Sequence, residues 1–426
     1  MTVPTSPDKT VRDKGAQTVA ALSRRAVVTL PVAAVGVTAT AAAAQAKTAE
    51  SVAASAHGPA TVAYVGSRTT ADRDGHGKGI EVYRVGADGT GWSLLQTVEL
   101  DNPSFLAVDH TRRYLYAVHG DFTYVSAFRI EPGTALLTAL GHQETGGKNP
   151  AHLSVDPSNR FLIVVNHSSG GVVSLPLRED GRLGPVVSRL SLPGEPGPHR
   201  TDQPGSKPHH VPFSPDGRFI VVPDKGLDRI FTAVLDPETG KLSFGPVPSV
   251  ATREMAGPRH IAFHPRLPYA YTIDELRSTV TTYRWDTVRG ALAPLQTLPS
   301  TEPSVTGDSR GGEIAVHPSG HFVYASNRSG AGDSTPGGPE PDTIRVFSVS
   351  ARTGVLTPVG AFSSEGIRPR FFCFGPDGRR LFAANERSHT IVAFTLDEES
   401  GMPRPTGEVV RTGSPVCVLF VRPRAH

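Results

Sequence analysis

Short apolar runs, four to seven residues long and broken by single polar positions, recur along this chain, and turns rich in Gly, Pro, Asp and Ser separate them. A period of two predicts strands. One phrase repeats: a Pro, an alternating apolar run, a turn, then a second apolar run ending in polar residues. Its clearest copies are PAHLSVDPSNRFLIVVNH from Pro150, PHHVPFSPDGRFIVVPDK from Pro208 and PRHIAFHPRLPYAYTIDE from Pro258. Weaker copies begin at Pro103, Gly311 and Pro369. The turn prolines Pro157, Pro215, Pro265, Pro318 and Pro376 lie 58, 50, 53 and 58 residues apart. A repeat near that length, built of short strands, predicts the blade of a propeller.

Each copy reads as a hairpin of strands A and B, and two further runs follow it as strands C and D. Examples are IRVFSV from Ile344 and IVAFTL from Ile391. Six blades are continuous in sequence. The seventh is split, with strand A at the far end (PVCVLFV from Pro415) and strand B at the near end (VAYVGS from Val62). The expected fold is therefore all-β: a seven-bladed propeller with four antiparallel strands per blade, closed by pairing of the N- and C-terminal strands, which leaves no open edge. Six blades would orphan two good strands, and a sandwich gives no reason for the repeat.

Overlaying the copies locates candidate chemistry. The start of A and the end of B share one face at the channel mouth. The position after the opening Pro reads Ser104, Ala151, His209, Arg259, Gly312, Arg370 and Val416; the end of strand B reads Ser67, Gly120, His167, Lys225, Glu275, Arg328 and Glu386. The apolar frame is constant while these positions vary and carry His, Arg, Lys and Glu. Long loops at Arg68–Lys78, Pro193–Lys207, Thr301–Gly311 and Ser329–Asp342 fall on the same face, where they build a pocket. Adjacent strand residues point to opposite faces, so His210, His260 and His264 are expected to be structural, and a metal at His209-His210 is disfavoured. A cluster of His119, His167 and Glu386 lacks ligand spacing. Asp224, Asn327 and Asn385 read as turn caps.

Composition narrows the function. A length of 426 residues permits several domains, but the repeats run through as one. Lys and Arg number 43 against 40 Asp and Glu, which speaks against a nucleic-acid partner or a polybasic membrane contact. Ser23-Arg24-Arg25 precedes an uncharged stretch from Ala26 to Ala46, predicting a twin-arginine signal peptide over residues 1–46 and a propeller domain over 57–426. Cleavage is expected after Ala46, or as late as Ala56. The protein is expected outside the cytoplasm with no stable membrane anchor. No Cys stands near for lipidation. The two cysteines, Cys373 and Cys417, leave a disulfide open.

Gly257-Pro258-Arg259-His260, His264-Pro265, Tyr269-Ala270-Tyr271 and Glu275-Leu276 resemble the seven-bladed lactonases, a family that includes 6-phosphogluconolactonase and carboxymuconate cyclase. The resemblance spans roughly Thr61 to Pro423. It implies a site of His209, Arg259, Glu275 and Arg370, with Arg310 competing for the second arginine. Arg310, Asp274, His167, Lys225, Arg328 and Glu386 are expected to bind substrate. Where the family commonly has Asn, this chain has Asp274, expected to raise the pKa of Glu275 or tighten an arginine contact. The arginines suit an oxyanion or a substrate carboxylate; Glu275 suits a general base, with His209 moving the proton. No Gly-x-Ser-x-Gly elbow occurs. No cofactor and no metal are expected, and the chain is expected to act as a monomer on a small acidic lactone. Export makes a cytosolic phosphosugar lactone a poor substrate. Two other readings stay open: a non-catalytic propeller binding carbohydrate, peptide or protein, and a cycloisomerase of muconate-type diacids. A plain Arg259–Glu275 ion pair bracing the strands also stays open.

Overall fold

A computed structural model describes residues 61–86, 89–305, 307–330 and 342–422. The signal-peptide motif, its cleavage sites and most of the Ser329–Asp342 loop lie outside the described residues. Among these residues the regular structure is strand, apart from one 3-10 turn at Ala71–Arg73.

Seven sheets follow one another around the ring. Blade I joins Pro415–Val421 to Val62–Ser67, Gly79–Arg84 and Ser93–Glu99, so both termini supply the same sheet. The register runs from Val62 opposite Val421 to Gly66 opposite Cys417. Blades II, III, V, VI and VII open with strand A at Pro103–Val108, Pro150–Val155, Pro258–Phe263, Ser309–Val316 and Pro369–Phe374. Blade IV departs from the expected pattern. Its regular strands are Ile220–Asp224, Arg229–Leu235 and Leu242–Ala251, while Pro208–Phe213 holds the inner place through single bridges, Pro208 to Asp224 and Phe213 to Ile220. Pro212 and Pro223 carry no N–H to donate to a ladder.

Alternation explains the packing. In strand B of blade II (Tyr114–His119), Leu115 and Ala117 face blade I, while Tyr116 and Val118 face blade III. Both faces of each blade are buried, so these strands read as near-continuous apolar runs. Seven apolar clusters result, one at each blade interface. A polar latch is superposed. Strand-B tyrosines donate to the C–D turn of the next blade: Tyr64 to the Ala135 carbonyl, Tyr116 to Gly181, Tyr271 to Gly354 and Tyr324 to Gly401, at 2.8, 3.1, 2.9 and 2.5 Å. Cys373 and Cys417 are free thiols.

Candidate active site

Two repeated backbone features build the channel mouth. In five blades the residue before the opening Pro has a left-handed backbone: Asn102, Asn149, Gly257, Arg368 and Ser414, with φ from 39° to 61°. Its carbonyl accepts the N–H of the residue just past strand B. The pairs are Gly120 to Asn102, His167 to Asn149, Glu275 to Gly257, Glu386 to Arg368 and Arg68 to Ser414, at 2.8–3.0 Å. Lys225 donates to Lys207 in the same way at 3.1 Å. At Gly257 a Cβ would sit 2.6 Å from the Leu276 side chain, so the close approach there, added to the left-handed φ that the other blades share, favours glycine. This hydrogen bond fixes the ring Arg68, Gly120, His167, Lys225, Glu275 and Glu386. The blade I member is Arg68, one residue beyond the expected Ser67, because Ser67 pairs with Pro415 after a register shift.

The second feature is a bulge at the start of strand A. Pro103, Pro150, Pro258, Gly311 and Pro369 are each followed by one extra residue relative to the partner strand. A bulge breaks alternation and re-aims side chains. Two successive residues per blade therefore face the channel. The upper ring is the expected one, with His209, Arg259 and Arg370. The ring beneath it is Phe105, His152, His210, His260, Glu313, Phe371 and Cys417. Five of its members, Phe105 to Glu313, touch in sequence: ring centroids are 4.2 Å apart for Phe105–His152, 4.2 Å for His152–His210 and 4.3 Å for the stacked pair His210–His260. His260 then meets Glu313 at 2.8 Å. His210 and His260 thus belong to the channel, against the expectation from strict alternation; His264 does sit in a turn, bonded to the Gly320 carbonyl.

A cavity of about 80 Å³, open at the mouth, is lined by His167, His209, Lys225, Arg259, Glu275, Arg328 and Arg370 of the expected residues. It is also lined by Arg68, Arg73, Asn149, His260 and Glu313, which reasoning from the strand ends missed. Reading the overlay one position further along strand A would have found His260 and Glu313 together.

Glu275 is the electrostatic centre. Lys225 Nζ donates to its Oε1 at 3.0 Å, and Arg259 Nε and Arg328 Nη2 each lie 3.3 Å from Oε2. Backbone carbonyls hold both arginines: Arg259 donates to Gly312 at 2.6 Å and Arg328 to Gly311 at 2.7 Å. Burial alone pushes the Glu275 carboxyl up, but Lys225, Arg328 and Arg259 outweigh it and hold it well below the usual range. Glu275 is thus held ionised, as the shared counter-ion of these three cations. Burial, with Arg328 and Arg370 near, pushes Arg259 down to about 9, still protonated at neutral pH.

Asp274 does not act on the cavity. It follows strand alternation to the other face, where Thr272, Thr279 and Thr281 donate to it at 3.1, 2.8 and 2.9 Å. Burial pushes it up to about 6, and the shift expected for Glu275 runs the other way. Arg310 lies outside the cavity lining, paired at 3.0 Å with Asp202, which also reaches Lys225 at 3.3 Å. Glu386 is buried but is not part of the lining. His119 turns into blade II, bonded to the Asp101 carbonyl and Ser126.

An all-β ring of seven blades with basic and acidic groups gathered at one channel mouth defines a propeller with a small-molecule site. The chain belongs to the seven-bladed β-propeller lactonase family, whose model matches residues 62–420. It is similar to 6-phosphogluconolactonase of Bacillus subtilis, 33% identical over 84% of this chain and 98% of that protein. It is 31% identical to 6-phosphogluconolactonase of Formosa agariphila, covering 81% of this chain and 96% of that one. Among solved structures it resembles the periplasmic gluconolactonase of Pseudomonas aeruginosa, with a TM-score of 0.76, 29% identity, and 85% and 99% of the two chains covered.

Proposed function

We propose that this protein hydrolyses a lactone carrying an anionic substituent, and that it does so after export from the cytoplasm. One observation carries the substrate class: the cavity is lined by Arg68, Arg73, Lys225, Arg259, Arg328 and Arg370 against only Glu275 and Glu313. That surplus of positive charge favours an anion, and a water-excluded guanidinium is suited to the oxyanion formed when a lactone carbonyl is attacked. Glu275 spaces and neutralises part of this cluster, so that Arg259 and Arg328 stand ready without reorganising. The export reading rests on Ser23-Arg24-Arg25 and its uncharged sequel, and a periplasmic gluconolactonase is among the similar structures.

The test is a panel of sugar lactones that are neutral, carboxylated or phosphorylated, with acid release followed at constant pH. Acidic lactones are expected to show the higher kcat/KM, and the advantage to shrink as salt is raised. Equal turnover of neutral and acidic lactones would overturn the substrate class; hydrolysis of none would overturn the activity.

A further inference from the structure

Behind His209 the two channel rings connect. His209 Nδ1 lies 3.1 Å from His260 Nε2, and His260 Nδ1 lies 2.8 Å from Glu313 Oε1. All three side chains are buried. Glu313 Oε1 also accepts the Ile314 N–H at 2.9 Å. An oxygen that accepts a backbone N–H offers its other lone pair to the histidine, so His260 donates from Nδ1. A neutral His260 then presents a bare Nε2. His209 must donate to it from Nδ1, which leaves the lone pair of His209 on Nε2, the nitrogen free to meet a molecule in the cavity. The order of donors is thus set from the Ile314 amide outward. Stacking on His210 at 11° fixes the His260 plane, and His210 Nδ1 accepts the Ile261 N–H at 3.2 Å.

Resting on the lactonase reading, we propose that His209 is the general base of the reaction, and that His260 and Glu313 are positioning residues that hold it in the Nδ1–H tautomer. Water bound in the cavity gives a proton to His209 Nε2 as its oxygen bonds to the lactone carbonyl carbon, and the carbonyl electron pair moves to the oxyanion beside the arginines. The intermediate collapses by breaking the ring C–O bond. His209 Nε2–H returns its proton to the leaving alkoxide oxygen. The products are a hydroxy acid, ionised at neutral pH, and the proton that it releases. The imidazolium formed midway is stabilised through His260 by the Glu313 carboxylate, the logic of a catalytic triad with one more imidazole inserted.

The cations facing this chain of residues oppose premature protonation, while Glu275 beside His260 and the burial of Glu313 work the other way. His209 is faced by Arg259, His260, His167 and Arg370; His260 by Arg259, Arg370, Arg328 and Glu275; Glu313 by Arg259, His210 and Arg328. Burial and these neighbours hold His209 well below its ordinary range, so the bare Nε2 persists into mild acid.

The full chain tests the proposal in two ways. Long-range 1H–15N spectra of the histidine rings, with His209 assigned by loss of its signals in His209→Gln, are expected to show Nδ1 protonated and Nε2 bare. A protonated Nε2 in the wild type overturns the relay, whatever substrate the enzyme takes. In kinetics, Glu313→Gln keeps an oxygen for Ile314 and His260 but removes the charge. It is expected to lower kcat at least about tenfold with KM little changed and to move the acid limb of the pH profile to lower pH. His260→Phe keeps the stack on His210 but cuts the relay, and is expected to lose more. Unchanged kcat in Glu313→Gln, with wild-type lactonase activity present, overturns the positioning role. Absence of activity in the wild type overturns the lactonase reading instead, and the spectra still decide the tautomer.

Discussion

Lys225 and Glu275 occupy the same position in successive blades, fifty residues apart, and their side chains meet at 3.0 Å across the blade IV–V boundary. The backbone hydrogen bond that sets Lys225 on Lys207 and Glu275 on Gly257 is the same in both blades. A repeat has here been given opposite charges at equivalent places, so neighbouring modules are joined by the site itself.

That junction predicts a cost to both stability and activity. Glu275→Gln leaves Lys225, Arg259 and Arg328 buried without their shared counter-ion. Denaturant unfolding is expected to show a loss of about 3 kcal/mol, whereas Asp202→Asn, on the more exposed partner of Lys225, costs less than about 1 kcal/mol.

Arginine chemistry is separable from charge. Arg259→Lys keeps a cation but loses the planar fork that reaches Glu275 and the Gly312 carbonyl together. In steady-state kinetics kcat/KM is expected to fall about tenfold or more, with the acidic-over-neutral preference retained because the other cations remain.

Acid weakens the fold before it titrates ordinary carboxylates. Burial lowers the pKa of His119 to about 4 and, with Lys225 nearby, that of His167 to about 3; His152, His209, His210 and His260 are also held well below 6.5. Below pH 6.5 the unfolded chain binds protons that the folded chain refuses, so stability falls as pH falls from there toward 3–4. Asp274, raised to about 6, and Asp224, Glu313 and Asp342, also raised by burial, work in the opposite sense, but with His264 and His389 also lowered they are four carboxyls against eight histidines among the described residues. Urea midpoints at pH 7.5 and pH 5 are expected to show the lower value at pH 5; equal midpoints would contradict this.

The inter-blade latches act on stability alone. Tyr271→Phe removes the bond to the Gly354 carbonyl and is expected to cost about 1 kcal/mol in chemical denaturation. Lactone turnover is expected to stay unchanged, since the lost hydroxyl points to the outer turn of blade VI.

The blade count and the split blade were legible because each inter-blade core demands the same apolar alternation, from Val62 to Val421. The ring of charged positions was legible for the same reason, except in blade I. There the run ends in Gly66 and Ser67, small residues that do not mark the pleat, and the register is set by Ser414 from the other end of the chain. The lower ring was hidden by the bulge. Alternation sends His260 away from Arg259, and only an extra residue against the partner strand turns both inward. Blade IV hid its irregularity in the same way, since an apolar pattern does not register the donors missing at Pro212 and Pro223.

The strand that completes blade I, Pro415–Val421, leaves the ribosome only after all the other blades. A ribosome-bound nascent chain can fold the intervening blades as they emerge, but the circle stays open until that strand has emerged. Arg68 then finds the Ser414 carbonyl and the cavity gains its last wall. Closure of the ring and assembly of the channel mouth are therefore one event, and a chain without Pro415–Val421 would lack both.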